Sequence, residues 1–244
     1  MCEAEIPHQL RQTDKNPAEY CTMELNIEYA IVCTFLSDNR KEFHNMTQEI
    51  EIEYKNLLTK EEFFRLADFF QIADHDFKHQ DNHYFDTPEF HLKERGAALR
   101  IRFKNGRYVL TLKEPAPVGL LETHQEITAE HASELISPAS SLPKGKVLEQ
   151  IHSLGIHSEN ISFFGTLSTN RAEKTYKNGL IVLDHSRYIN KEDYEIEYEV
   201  LDAEEGLLAF RELLASLQIP MRKTPNKIKR FYDHKREIEN EKEL

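Results

Sequence analysis

The chain has 244 residues, with 43 acidic residues against 31 basic ones and a formal net charge of -12. Proteins whose main partner is duplex nucleic acid usually carry the opposite balance, so nucleic acid is disfavoured as a partner. Hydrophobic residues make up 39% of the sequence and aromatic residues 10%. That content is enough to bury a core and argues against disorder of the whole chain.

Membrane and secretory signals are missing from the sequence. The longest apolar run, residues 30–36, is far shorter than the roughly 20 residues of a membrane-spanning helix. The amino terminus lacks the basic and apolar regions of a secretory signal. Cys2, Cys21 and Cys33 have no metal-site spacing, and this cysteine usage is typical of a reducing compartment. The sequence therefore predicts a cytoplasmic protein with no membrane partner.

Residues 1–45 differ from the rest of the chain, because their polarity is mixed and no period is sustained. Met46 stands immediately before the first strongly patterned strand. We therefore expect residues 1–45 to be a poorly ordered extension and Met46 to be the functional start. The alternative is an ordinary amino-terminal strand from Tyr29 to Leu36.

The first strand is predicted from residue 48 to residue 54, where apolar and charged residues alternate. Ile50 and Ile52 fall on one face, and Glu51 and Glu53 fall on the other. This period of two is typical of a strand with one buried face. Similar patterns predict further strands at residues 83–85, 99–103, 108–113, 121–128, 161–172, 180–184 and 193–201.

Helix signals lie between these strands. Thr59 and Glu62 have the spacing of a capping box, which predicts the start of a helix. Pro143 is predicted to lie in the first turn of a later helix, and Gly155 at its carboxy-terminal cap. About eight strands, about three helices and the hairpin signals at Asn105-Gly106 and Asn178-Gly179 favour an antiparallel sheet in an α+β fold.

Charged residues alternate along most of the predicted strands. One such strand is usually half-buried, with its polar face in water. Several of them, facing inward on a curled sheet, would instead line one cavity with acids and bases. The charged positions concerned are Glu51, Glu53, Lys55, Arg100, Arg102, Lys113, Glu122, Glu126, Arg171, Asp184, Glu195, Glu197 and Glu199.

A cavity with both signs of charge has a specific chemical use. Clustered carboxylates repel each other, and a hard divalent cation such as Mg²⁺ or Mn²⁺ relieves this repulsion because it prefers carboxylate oxygens. Arginine and lysine bind phosphate oxygens. An anion with several phosphates, bridged to the acids by metal, would satisfy both sets, and phosphoryl transfer needs mostly positioning and charge neutralisation.

The segment Glu51-Ile52-Glu53-Tyr54-Lys55 is similar to the ExExK signature of the CYTH, or triphosphate tunnel metalloenzyme, family. The similarity covers roughly residues 46–235 and leaves residues 236–244 as a charged tail. It implies an eight-stranded antiparallel β-barrel, the triphosphate tunnel, with flanking helices. The other matching segments are Tyr84-Phe85-Asp86-Thr87-Pro88, Leu99-Arg100-Ile101-Arg102, Thr111-Leu112-Lys113, Arg171, Leu183-Asp184 and Glu195-Ile196-Glu197-Tyr198-Glu199.

The resemblance also implies roles for individual residues, with Mg²⁺ or Mn²⁺ as the cofactor. The implied phosphate-binding residues are Lys55, Arg100, Arg102, Lys113, Arg171 and Lys227. The implied metal ligands are Glu51, Glu53, Glu122, Asp184, Glu195 and Glu197. Glu51, Glu53 and Lys55 are the predicted catalytic residues. Glu126 shares the phase of Glu122 and stays an alternative ligand, whereas His124 is predicted to be a wall residue.

The activity that the resemblance implies is hydrolysis of a triphosphate, in which water attacks the terminal phosphorus in line and phosphate is released. Inorganic tripolyphosphate, thiamine triphosphate and nucleoside triphosphates all stay open as substrates, and the oligomeric state also stays open. One alternative is an adenylate cyclase, which the family also contains and which makes cyclic AMP and pyrophosphate from ATP. The other is a non-catalytic sensor that binds polyphosphate or nucleotides.

Overall fold

The computed structural model describes residues 48–104, 106–137 and 141–242. Eight antiparallel strands close into a barrel in the order β1-β5-β4-β3-β2-β6-β7-β8, which confirms the predicted fold class. The extension predicted over residues 1–45, and Met46, lie outside the described residues. The strands are β1 (Gln48–Leu58), β2 (Lys78–Asp86), β3 (Ala98–Lys104), β4 (Arg107–Pro115), β5 (Leu120–Ile127), β6 (Ser162–Tyr176), β7 (Gly179–Tyr188) and β8 (Lys191–Val200).

The described part of the chain also contains six α-helices, about twice the number that the sequence patterns predict. They flank the barrel, and none of them is long and apolar enough to cross a membrane. The helices are α1 (Lys60–Phe69), α2 (His91–Glu94), α3 (Ala129–Ile136), α4 (Lys146–Ser153), α5 (Ala203–Ser216) and α6 (Lys227–Lys242).

The start of α1 is determined by local hydrogen bonds, and the start of α4 by a contact with β5. The Thr59 hydroxyl accepts a hydrogen bond from Glu62 N, and the Glu62 carboxylate accepts one from Thr59 N, so the predicted capping box is confirmed. The prediction that Pro143 lies in the first turn of a helix is wrong, because α4 begins at Lys146. Gln125, on β5, accepts a hydrogen bond from the backbone N–H of Val147 and so holds the start of α4.

The hydrophobic core lies between the barrel wall and the surrounding helices. One cluster packs α1 and α5 against β7 and β8, with Leu66, Ile181 and Phe210 fully buried. A second cluster packs α3 and α4 against β3 and β4, with Leu99 and Val147 at its centre. Because the apolar side chains point outward to the helices, the alternate positions point into the barrel.

Helix α6 covers one end of the barrel. Its buried Phe231 packs with Tyr84, Leu167 and Tyr188. A side chain at Gly165 would bring its Cβ within 2.7 Å of the Phe231 ring, so glycine is what allows the helix to seat this closely. We call this end the closed end. At the opposite end, within the described part of the chain, the rim residues Glu49, Lys104 and Glu173 are exposed, and we call this end the mouth.

Candidate active site

A cavity of about 380 Å³ runs inside the barrel and is lined by the inward-facing side chains of the strands. Eleven of the twelve residues predicted for the site line it: Glu51, Glu53, Lys55, Arg100, Arg102, Lys113, Glu122, Arg171, Asp184, Glu197 and Lys227. The twelfth, Glu195, is fully buried beyond the closed end of the cavity. The alternation of charges along the strands therefore predicts the lining well, because every second side chain of a barrel strand points inward.

The charges of the cavity are largely separated by strand, with Lys55 on β1 and Glu173 on β6 as exceptions. The acid wall is formed by neighbouring strands β5, β1 and β8 and consists of Glu49, Glu51, Glu53, Glu122, Glu197 and Glu199. The base wall is formed by β4, β3 and β6 and consists of Lys113, Arg100, Arg102 and Arg171. This separation is a consequence of topology, since the strand pairing places Glu49 opposite Glu122 and Glu53 opposite Glu199.

Lysines neutralise part of the acid wall. Lys113 Nζ donates to Glu51 Oε2 at 2.5 Å and also contacts Glu122, and Lys55 pairs with Glu53 on the same strand. Burial opposes the ionisation of Glu122, but Lys113 and Arg100 outweigh it and hold the pKa of this carboxyl at about 2. Glu122 is therefore an anion at neutral pH.

The negative charges of Glu199 and Glu51 are balanced less well by nearby cations than that of Glu122. Among the described residues, Glu199 has no hydrogen bond or ion pair to a cation. Burial, and then the neighbouring Glu51, raise the pKa of Glu199 to about 7. Burial also raises the pKa of Glu51, although Lys113 opposes the shift. A buried carboxylate without a cation is unfavourable, so this part of the acid wall lacks positive charge.

On the base wall, two arginines lack carboxylate partners. Within the described part of the chain, no carboxylate forms an ion pair with Arg100 or Arg102, and Arg100 Nε is buried without a hydrogen-bond partner. Burial, followed by repulsion from Arg100 and Arg171, lowers the pKa of Arg102. Burial opposes the charge of Arg100, but attraction by Glu122 and Glu51 outweighs it and raises the pKa of Arg100. Arg102 therefore keeps uncompensated charge, and both guanidinium groups offer unused donors to an anion in the cavity.

Near the closed end, acids and bases contact one another closely. Arg171 donates to both oxygens of Asp184, at 2.8 and 2.6 Å, and to Glu197 at 2.8 Å. Lys227 Nζ lies 2.9 Å from Asp184, 3.0 Å from Glu195 and 2.5 Å from Glu197. Asp184 is thus saturated by cations, in contrast to Glu199.

Glu195 is placed differently from the other predicted metal ligands. Besides Lys227, it contacts Arg230 Nη2 at 2.5 Å, and it does not line the cavity. Arg230 also donates to Asp193 at 3.0 Å and is a half-buried residue of the closed end. Burial, although opposed by Lys227, raises the pKa of Glu195 to about 7. The metal-ligand role of Glu195 stays a prediction, and in the structure the carboxylate contacts Lys227 and Arg230.

The mouth contains a second group of potential ligands. One ligand atom from each of Glu49, Glu122 and His124 lies within 4.8 Å of the other two. His124 Nδ1 lies 3.0 Å from the Thr111 hydroxyl, which orients its Nε2 towards the two carboxylates. Glu126, the alternative to Glu122, is exposed at the rim and pairs with Arg107 at 3.1 Å. Of the two glutamates on β5, Glu122 is the one inside the cavity.

Three lining residues of interest were not among the predicted site residues. Glu199 has the phase of Glu195 and Glu197, so the strand pattern contains the signal for it. Gln80 and Asn82 lie on β2 and line the cavity, and the buried Gln80 Nε2 has no hydrogen-bond partner. Both are uncharged, and no charge pattern could have identified them.

The sequence matches the family model described as the CYTH domain over residues 49–232. The Bacillus subtilis protein named "Putative triphosphatase YjbK" is 59% identical over 191 residues, which is 78% of this chain and 98% of that protein.

Solved structures share the fold. A Bacillus halodurans protein described as "a putative adenylate cyclase" superposes with a TM-score of 0.73 at 44% identity, covering 77% of this chain and 100% of that chain. The Hippeastrum protein described as "Putative adenylyl cyclase HpAC1" superposes with a TM-score of 0.65 at 24% identity, covering 76% of this chain and 96% of that chain. At 24% identity, the similarity to the Hippeastrum protein shows a shared fold alone.

Proposed function

Because this chain belongs to the CYTH domain family, we propose that it is a metal-dependent triphosphatase, which cleaves the terminal phosphate from a triphosphate. The observation that carries the proposal is the acid wall facing the base wall across one cavity. Glu199 on the acid wall and Arg102 on the base wall have no ion pair among the described residues, so a triphosphate with a bound divalent cation supplies the charge that each of them lacks. The name of the Bacillus subtilis relative agrees with this activity.

The base wall binds the phosphates in this proposal. Arg100 and Arg102 have no carboxylate partners among the described residues, and guanidinium groups bind phosphate oxygens through paired hydrogen bonds. Lys113 and Lys55 already contact carboxylates, and each has further N–H donors for a phosphate oxygen. Positioning of this kind is the main requirement of phosphoryl transfer.

The acid wall fits a hard divalent cation such as Mg²⁺ or Mn²⁺. Its donors are carboxylate oxygens, which these cations prefer, and Glu199 has a pKa raised to about 7 by burial, as expected for a carboxylate that needs positive charge. Glu51, Glu53, Glu122 and Glu199 would hold the metal. When bound, the metal would neutralise phosphate charge and acidify a water molecule.

The charge balance of the cavity supports a metal requirement. Among the described residues that line it, eight carboxylates face seven lysines and arginines. A triphosphate carries a charge of about -4 at neutral pH, since each phosphate of a chain is ionised and a terminal one titrates near pH 6. A lining with no net positive charge would repel such an anion, and a divalent cation removes most of the repulsion.

The reaction that follows is hydrolysis. Arg100 and Arg102 hold the phosphate chain, and water attacks the terminal phosphorus in line. A new P–O bond forms to the water oxygen, while the bond between the terminal phosphorus and its bridging oxygen breaks. The products are phosphate and the shortened diphosphate, and one proton of the water passes to solvent.

The second candidate is an adenylate cyclase, because the Bacillus halodurans relative carries that description at 44% identity. A cyclase must also hold an adenine ring, and aromatic side chains are a common platform for nucleobases. Tyr84 is the one aromatic residue among the described residues lining the cavity, and it packs with Phe231 at the closed end. This distribution favours the triphosphatase.

Product analysis tests the proposal. The full-length chain is incubated with tripolyphosphate, thiamine triphosphate or ATP in Mg²⁺ or Mn²⁺, and phosphate, pyrophosphate and cyclic AMP are measured separately. We expect phosphate from at least one of the three, and equal activity in the control Glu126→Gln, whose carboxylate lies outside the cavity. Pyrophosphate with cyclic AMP would establish the cyclase, and triphosphate binding without any product would establish a sensor.

A further inference from the structure

Arg102 is held in place by a neutral side chain. Arg102 Nε donates a hydrogen bond of 2.6 Å to Asn82 Oδ1, across the β2–β3 pair in which the two residues are directly opposite. Asn82 is buried, with a relative exposure of 2%. Since both residues line the cavity, this contact lies in the wall of the proposed substrate site.

A second, longer contact agrees with this orientation of the Asn82 amide. Asn82 Nδ2 donates to the carbonyl oxygen of Leu167 on β6, at 3.5 Å. A reversed amide would bring an N–H group against Arg102 Nε, which can only donate. Asn82 therefore presents its oxygen to Arg102 and keeps the guanidinium plane in one orientation, while neither Nη group has a hydrogen bond to the residues that the structure describes.

Arg171 shows what a charged partner does in the same barrel. Its Nε and Nη2 are used by Asp184 and Glu197, so its donors and its charge are largely satisfied. Asn82 satisfies one donor of Arg102 but adds no negative charge. An asparagine here thus orders the guanidinium group without reducing its attraction for an anion, which an aspartate of the same shape would do.

We propose that Asn82 is a positioning residue that orients Arg102 towards a triphosphate oxygen and leaves its positive charge uncompensated. The inference rests on the proposed function, because it gives the Nη groups of Arg102 a triphosphate oxygen as their partner. Asn82 itself contacts Arg102 and not the substrate.

The substitution Asn82→Asp separates this role from a structural one. The aspartate keeps an acceptor opposite Arg102 Nε, so a structural role predicts unchanged substrate affinity. Our proposal predicts a melting temperature that is equal or higher, because the pair is now charged, together with a Kd for triphosphate about tenfold or more weaker. The matched control is Asn170→Asp, which lies outside the cavity and contacts His79.

Affinity is measured by calorimetry with a methylene-bridged triphosphate in Mg²⁺, so that the result does not depend on turnover. An unchanged Kd in Asn82→Asp would overturn the proposal, whereas a weaker Kd combined with absence of hydrolysis in the unsubstituted protein would contradict only the proposed function. In addition, Asn82→Ala should weaken binding in the unsubstituted background and have little further effect after Arg102→Lys. Equal effects in both backgrounds would show that Asn82 does not act through Arg102.

Discussion

Replacement of Lys227 by methionine is expected to lower the melting temperature of the metal-free protein by roughly 6–20 °C. Lys227 Nζ is within 3.0 Å of Asp184, Glu195 and Glu197, and its side chain is only 12% exposed. Methionine has a similar shape but no charge, so the contacting cations left to the three acids among the described residues would be Arg171 and Arg230. Removal of one member of a buried ion cluster leaves an uncompensated charge and typically costs about 3–5 kcal/mol.

Lys229→Met is the matched control for Lys227→Met on the same helix. Lys229 is 55% exposed and has Asp233 as its one ion-pair partner among the described residues, and exposed ion pairs contribute little. We expect its melting temperature to change by no more than about 2 °C. Thermal unfolding followed by circular dichroism measures both. Similar shifts for the two variants would show that the charge cluster of the closed end does not stabilise the fold.

Glu53→Gln is expected to reduce triphosphate hydrolysis at least about 100-fold, since the loss of residues that merely support metal ligands already costs about 10–100-fold. Glutamine keeps the shape and removes the charge. Glu53 lies opposite Glu199 and contacts Lys55, so the change weakens the acid wall and also frees Lys55. Both effects reduce affinity for a divalent cation.

The Mg²⁺ dependence of turnover identifies the cause of the Glu53→Gln defect. We expect the Mg²⁺ concentration for half-maximal activity to rise in Glu53→Gln, while Glu126→Gln keeps the original value, because Glu126 lies outside the cavity. Activity within about twofold of the unsubstituted protein would exclude Glu53 as a metal ligand.

The fold was predictable wherever one face of a strand is apolar. Ile50, Ile52 and Tyr54 make β1 recognisable, but the pattern of β2 identifies only residues 83–85 of a strand that begins at Lys78. In the sequence Lys78-His79-Gln80-Asp81-Asn82, both faces are polar. The inward face of every strand lines the charged cavity, so the physical reason lies on the outward face. In this part of β2 that face is polar too: His79 is exposed and contacts Asp81 and Asn170.

The sequence predicted which residues face the cavity, but not where each of them lies along the barrel axis. The strand phase correctly groups Glu195, Glu197 and Glu199, but it gives no information on position along the barrel axis. That position depends on where α6 closes the barrel, which is a long-range packing contact of Phe231. As a result, the predicted metal ligands include Glu195, which is buried beyond the cavity, and leave out Glu199, which lies within it.

Equilibrium binding with and without a divalent cation tests the central claim most directly, namely that the acid wall needs a cation before the base wall can hold a triphosphate. The full-length chain is titrated with a methylene-bridged triphosphate by calorimetry, once in Mg²⁺ and once in chelator at the same ionic strength. We predict a Kd at least about 100-fold lower in Mg²⁺, a difference of about 2.7 kcal/mol. Equal affinity under the two conditions would contradict the account.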